Sequence, residues 1–205
     1  MSVSRPRALL SVYDKSGIVE MAGFLAGLGL ELVSSGGTAA HLREAGLEVR
    51  DVSDVTGFPE ILDGRVKTLH PAIHGGVLAR GGRKEDMKTI AELDIAPVQW
   101  VVVNLYPFIE ELGTPKDEAA QLEFIDIGGP ALLRAAAKNF RSVVVLCDPS
   151  DYGAVRREWA EGGEIFLQSR RRLAAKVFRL TSAYDEAVAG YLEGEAPALQ
   201  FAEKY

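Results

Sequence analysis

Three apolar runs, residues 8–12, 100–105 and 142–147, lack the polar alternation of a half-exposed strand. Strands of that kind are covered on both faces, which in practice means a parallel sheet between helices. Segments of helical spacing separate them. Ile18, Met21, Ala22, Leu25 and Leu28 fall on one face of a helix over 17–28, and residues 39–45, 84–93 and 131–139 read the same way. Residues 31–34 and 48–52 are two further short strands, and Gly46 is placed to stop the helix before the second of them. A long helix over 166–192 has Leu173, Val177, Leu180, Tyr184 and Val188 on one face, against a sheet or a second subunit. The prediction is an α/β chain, a three-layer sandwich with a mainly parallel sheet. Ligands in such sheets sit beyond the carboxyl ends of the strands.

The 205 residues suffice for one domain, expected over 1–192, with 193–205 as a frayed tail or the start of a linker. A net charge of -6 argues against a general nucleic-acid binder but leaves room for a local basic pocket. Cys147 is the one cysteine, so no internal disulfide and no two-cysteine metal site can form; within its apolar run it reads as a buried thiol. No apolar stretch approaches the ~20 residues of a spanning helix. A cytoplasmic setting, with no membrane contact, is the expectation.

Four stretches at the expected ligand edge carry chemistry. In Ser34-Ser35-Gly36-Gly37-Thr38 two glycines stand between a strand and a helix, where backbone N–H groups and the helix dipole favour an anion. The same residues also make a tight turn capped by Thr38, and the spacing is not that of a dinucleotide fingerprint. Lys15, in Ser11-Val12-Tyr13-Asp14-Lys15, either completes a phosphate pocket or is solvated. Asn104 and Tyr106 emerge at the end of the central strand. In Ile125-Asp126-Ile127-Gly128-Gly129, Asp126 either caps the following helix or offers a carboxylate to a substrate.

The oddest part is the Gly/Pro-punctuated stretch 56–83, expected to be largely irregular. Within it Arg65, Lys67, His70 and His74 crowd into a short segment. His70 and His74 have metal-ligand spacing on a helix, but Pro71 interrupts and no third ligand follows, so no metal site is expected. Arg170-Arg171-Arg172 on the last helix reads as a solvated face, with a phosphate or subunit contact as the alternative.

Taken together, these stretches resemble the IMP cyclohydrolase domain of the bifunctional purine biosynthesis protein. The likeness runs in order from residue 8 to 192 and rests on Ser11–Lys15, Ser34–Thr38, Thr56-Gly57-Phe58-Pro59-Glu60, residues 65–71, 104–108, Asp126–Gly129 and 132–139. Arg171-Arg172-Leu173-Ala174 and Ala183-Tyr184-Asp185-Glu186-Ala187 complete it. The family commonly has Ser or Thr where Tyr13 stands, so a side-chain contact there is in question while a backbone contact survives. The formyltransferase domain that follows in the bifunctional protein is absent from this sequence, which suggests a stand-alone cyclohydrolase or a truncated form.

The resemblance implies a methylglyoxal-synthase-like fold and a homodimer with sites near the subunit contact. It implies no cofactor and one small-molecule partner, the formamido carboxamide ribonucleotide (FAICAR), closed to IMP with loss of water. A separate AICAR formyl-transferring enzyme is a second possible partner. By the same analogy Lys15, Ser35, Gly36, Gly37 and Thr38 hold the phosphate, with Ser11, Tyr13 and Asp14 beside them. Arg65, Lys67 and Thr68 approach from the long loop, and Val103, Asn104, Asp126, Ile127 and Gly128 meet the base. The catalytic set is Lys67 and Tyr106 on the formyl oxygen, Asp126 on the carboxamide, and Lys138 as proton relay. About 18 Å of helix separates Asp126 from Lys138 if the helix is straight. A methylglyoxal synthase and a non-catalytic nucleotide-sensing module are the competing readings on this fold.

Overall fold

The computed structural model describes residues 5–106, 108 and 117–194. A five-stranded, all-parallel sheet forms its middle layer, in the order β3-β2-β1-β4-β5. The strands are β1 (Arg7–Ser11), β2 (Glu31–Ser34), β3 (Arg50–Asp51), β4 (Val98–Val103) and β5 (Val144–Leu146). The helices are α1 (Ile18–Gly27), α2 (Gly36–Glu44), α3 (Val52–Thr56), α4 (Pro71–Leu78), α5 (Lys84–Glu92), α6 (Glu118–Leu122), α7 (Gly128–Lys138), α8 (Tyr152–Gly162) and α9 (Leu167–Leu192).

Successive strand residues feed opposite faces, as the two-residue period of a strand requires. Ala8, Leu10, Trp100, Val102, Val144 and Leu146 pack with α1, α2 and α8 on one side. Leu9, Val33, Val101, Val103 and Val145 pack with α4, α7 and α9 on the other. Each buried leucine or valine contributes about 1.5–3 kcal/mol, so the two-sided burial is the main source of stability. The three-layer parallel sandwich expected from the apolar runs is borne out.

Three local differences have physical causes. The strand expected over 48–52 contracts to Arg50–Asp51 because α3 begins at Val52. The stretch 56–83 is not structureless: Pro71 occupies the first position of α4, where a missing N–H costs nothing. His70 is its N-cap, with Nδ1 accepting the Ala72 N–H at 3.1 Å. The proline that seemed to break a helix therefore starts one. Helices α2 and α7 begin at Gly36 and Gly128, earlier than the apolar spacing suggests, so the glycine turns belong to first helical turns.

Cys147 is buried, and burial pushes its thiol up to about 12. The arginine run is only partly a solvated face. Arg170 donates to the Ile165 carbonyl, Arg171 lies over the Phe140 ring and Arg172 pairs with Asp151. No helix among the described residues is long and apolar enough to cross a membrane. Residues 195–205 of the expected tail lie outside the described residues.

Candidate active site

Strand order places β1 between β2 and β4, so the chain leaves β1 toward one side and later returns on the other. A crevice opens at such a switch point, outside the carboxyl ends of the strands. Here the crevice is a cavity of about 480 Å³. Its walls come from the segments after β1, β2 and β4, from the 63–69 loop and from the start of α7. A volume of this size suits a nucleotide-sized ligand.

Two interlocks shape the sheet edge. The Thr38 hydroxyl accepts the Val12 N–H at 3.1 Å and donates to the Val12 carbonyl at 3.0 Å, while the residue is buried. The Asn104 Oδ1 accepts the N–H groups of Tyr13 and Asp14 at 2.6 and 3.0 Å, and its Nδ2 donates to the Asp14 carbonyl at 3.0 Å. Both residues line the cavity, as the sequence reading expects, and their polar side-chain atoms are engaged by backbone. Thr38 and Asn104 fix the post-β1 segment in place. Lys15 folds back on that segment, donating from Nζ to the Val12 and Tyr13 carbonyls. Burial holds its amine below the ordinary lysine value.

The glycine turn meets the sequence expectation more directly. Ser35 is extended, with φ -145°, and no side chain caps the first turn of α2. Gly36 has φ +53°, a left-handed backbone that favours glycine, and Gly36 and Gly37 are exposed. The N–H groups of that first turn carry the positive end of the helix dipole. Lys67 Nζ lies 3.8 Å from where a side chain at Gly36 would begin, so a loop cation and the helix terminus converge.

That convergence depends on a strained turn. Leu62 and Asp63 have φ +54° and +52°, and an Ile61–Val66 bridge closes the loop. Left-handed conformations are costly outside glycine and cluster at functional segments. The turn presents Arg65 and Lys67 to the cavity, each with a carboxylate partner. Arg65 forms a bidentate pair with Glu123, and Lys67 Nζ stands 3.3 Å from Glu60 Oε1.

Asp126 lies opposite. Its Oδ1 accepts the Gly129 N–H at 2.8 Å, so the carboxylate does cap the start of α7. Burial raises its carboxyl above the ordinary aspartate value, against the lowering effect of the Gly129 and Gly128 N–H groups and of the Lys67 charge. Tyr106 is half-exposed and packs its ring against Tyr13 at 5.2 Å.

Of the residues singled out from sequence, Ser11, Tyr13, Lys15, Ser35, Gly36, Gly37, Thr38, Arg65, Lys67, Thr68, Asn104, Tyr106, Asp126, Ile127 and Gly128 line this cavity. Three do not. Asp14 turns its carboxylate back to accept the Ser16 N–H at 2.8 Å, and Val103 is buried beneath the floor. Lys138 is exposed in the last turn of α7, carried by the ~1.5 Å rise per residue about 15 Å from Gly128. The helix is continuous over that length, so Lys138 is not brought to Asp126. Of the wall residues, Leu122 and Glu123 lie outside every stretch singled out from sequence. Glu123 carries no local signal, since its role comes from an arginine fifty-eight positions away. Among the described residues no cluster of three or more His, Cys, Asp or Glu is placed to hold a metal.

A parallel α/β sandwich with an anion-favouring turn and a facing carboxylate defines the class of protein. Residues 17–131 match the family described as MGS-like domain, and the chain belongs to that family. Residues 136–205 match a second description, AICARFT/IMPCHase bienzyme. The chain is 53% identical over 192 residues to the bifunctional purine biosynthesis protein PurH of Clostridium botulinum (strain Hall). It is 49% identical over 191 residues to the PurH of Fusobacterium nucleatum. Each alignment covers 93% of this chain and 38% of the relative, so the chain spans well under half the length of these proteins. A solved structure described as the crystal structure of ForH superimposes with a TM-score of 0.82 at 38% identity, covering 94% of this chain and 99% of that one. The family resemblance carried by the motifs is borne out.

Proposed function

We propose that this chain is an IMP cyclohydrolase, closing FAICAR to IMP with release of water. The observation that carries the reading is the convergence of Lys67 with the first turn of α2 in one cavity that also holds Asp126. The names of the PurH relatives and the bienzyme match support the pathway.

The substrate phosphate sits on the N–H groups at the start of α2, with the Ser35 hydroxyl and Lys15 beside it. The imidazole then extends toward Lys67, Tyr106 and Asp126. In the reaction the carboxamide nitrogen attacks the formyl carbon of the same molecule. A C–N bond forms, the formyl oxygen becomes the hydroxyl of a carbinolamine, and that hydroxyl leaves as water. Holding the reactive rotamer supplies several kcal/mol, up to roughly 7–11 in favourable cases. Lys67 and the Tyr106 hydroxyl stabilise the charge growing on the formyl oxygen, with about 3 kcal/mol per well-placed donor as a guide. Asp126 accepts the proton leaving the nitrogen, and its raised affinity for protons suits a general base. It passes that proton to the formyl oxygen, giving the carbinolamine hydroxyl, and the proton of the formamido nitrogen then leaves with that hydroxyl as water while the C=N bond forms. No step is assigned to Lys138.

Arg65 is held by Glu123 and Lys67 by Glu60. A phosphate- and carbonyl-rich ligand competes for the same cations. Leu69, Leu122 and Ile127 are exposed apolar residues of the cavity wall, and a second copy of the chain is the proposed cover for this rim. Sedimentation of the purified chain tests that dimer directly.

Ring closure is followed by the ultraviolet change as FAICAR becomes a purine. Turnover that falls by orders of magnitude in Lys67→Ala and Asp126→Asn, with IMP affinity little changed in Asp126→Asn, supports the assignment. An inactive chain that still binds IMP indicates a nucleotide sensor on the same fold.

A further inference from the structure

We infer that Tyr184, on α9, is a positioning residue that sets Asp126 for ring closure. The inference rests on the cyclohydrolase reading for its kinetic consequence, but its structural basis is independent of it. The Tyr184 hydroxyl accepts the Asp126 N–H at 2.7 Å and donates to the Phe124 carbonyl at 3.1 Å. One hydroxyl thus holds both ends of the segment that delivers the carboxylate.

Tyr184 is 5% exposed, and burial raises its hydroxyl to about 12, so it stays protonated and keeps both roles. A buried hydroxyl that donates once and accepts once has a defined orientation. The carboxylate is fixed from the other side by the Gly129 N–H. Asp126 is therefore held at its backbone by α9 and at its side chain by α7. The two helices pack on each other on the same face of the sheet.

The ring has a second attachment. Its centroid lies 6.0 Å from that of Phe108, which is 1% exposed. The Phe108 N–H in turn donates to the Tyr106 carbonyl at 2.8 Å. One tyrosine on α9 therefore braces the segments carrying both Asp126 and Tyr106. It touches neither the cavity nor its contents.

Tyr184→Phe keeps the ring packing and removes only the hydroxyl. The expected result is a fall in kcat of about tenfold or more with KM within about twofold, because alignment rather than binding is lost. A structural role alone gives the same fractional loss whether or not Asp126 is present. A positioning role gives little further loss in an Asp126→Asn background, where there is no carboxylate to align. Amide hydrogen exchange supplies the readout that needs no activity: Asp126 and Gly129 should exchange faster in Tyr184→Phe, while the β1 and β4 amides keep their protection. Equal kcat losses in both backgrounds, or unchanged exchange at Asp126, overturn the inference. Failure of the parent chain to close FAICAR overturns the cyclohydrolase reading instead, and the exchange experiment still decides the role of Tyr184.

Discussion

The N–H of Gly129 donates to the Asp126 carboxylate at 2.8 Å, and the missing side chain at Gly129 is what lets the carboxylate lie there. A Cβ at 129 meets Asp126 Oδ2 inside contact distance and Leu105 Cδ2 at 2.8 Å. Gly129→Ala therefore has to push the carboxylate off the helix start. A displacement of this size costs about a hundredfold in kcat, with IMP affinity and the circular dichroism spectrum retained. Steady-state kinetics and titration calorimetry check the split.

Asp126 also makes a stability claim. Its carboxyl is raised in the folded chain, chiefly by burial. The folded state then binds the proton more tightly than the unfolded state, so its contribution to stability is full below the ordinary aspartate range. That contribution is lost as pH rises through the raised value. Asp126→Asn should be more stable than the parent near neutral pH and indistinguishable from it in acid. Urea unfolding at the two pH values measures this. In activity, the acid limb of kcat should lie above the ordinary aspartate range and vanish with the residue.

The Thr38 hydroxyl satisfies both backbone groups of Val12 in a buried setting. Thr38→Val leaves the Val12 N–H unpaired, at about 1–3 kcal/mol, while the Val12 carbonyl keeps the Lys15 amine as its donor. Thr38→Ser preserves both hydrogen bonds of the hydroxyl. The valine variant should unfold at lower urea and bind IMP more weakly, since the wall of the phosphate pocket moves. Serine should restore both properties.

Glu123 holds Arg65 across the cavity wall at an exposed position. Screening makes such a pair contribute little to stability. Glu123→Gln should leave the melting temperature unchanged and tighten IMP binding severalfold at low salt, the gain shrinking as salt rises. Binding isotherms at two ionic strengths test it.

How much of this was legible beforehand differs by residue. The alternation of apolar runs with helical spacing exposes the sheet and both helix layers, because a strand covered on two faces has no use for polar positions. The glycine turn and Asp126 were legible because local geometry decides them: a helix start orients its own N–H groups. Pro71 misled because a proline reads alike as a breaker and as a first helical residue until His70 is seen to cap α4. Asn104 and Thr38 line the cavity, but their polar atoms also serve backbone across the sheet edge, a partnership that no local spacing displays. Lys138 entered through family likeness, and the straight run of α7 carries it away from the cavity.

The central claim is that one cavity clamps a nucleotide by its phosphate on α2 and turns its base toward Lys67 and Asp126. A crystal structure with IMP soaked in tests this most directly. The phosphate should accept hydrogen bonds from the N–H groups of Gly36, Gly37 and Thr38, with the purine between Lys67 and Asp126. IMP bound elsewhere on the chain, or in the cavity with its phosphate pointing away from α2, contradicts the account.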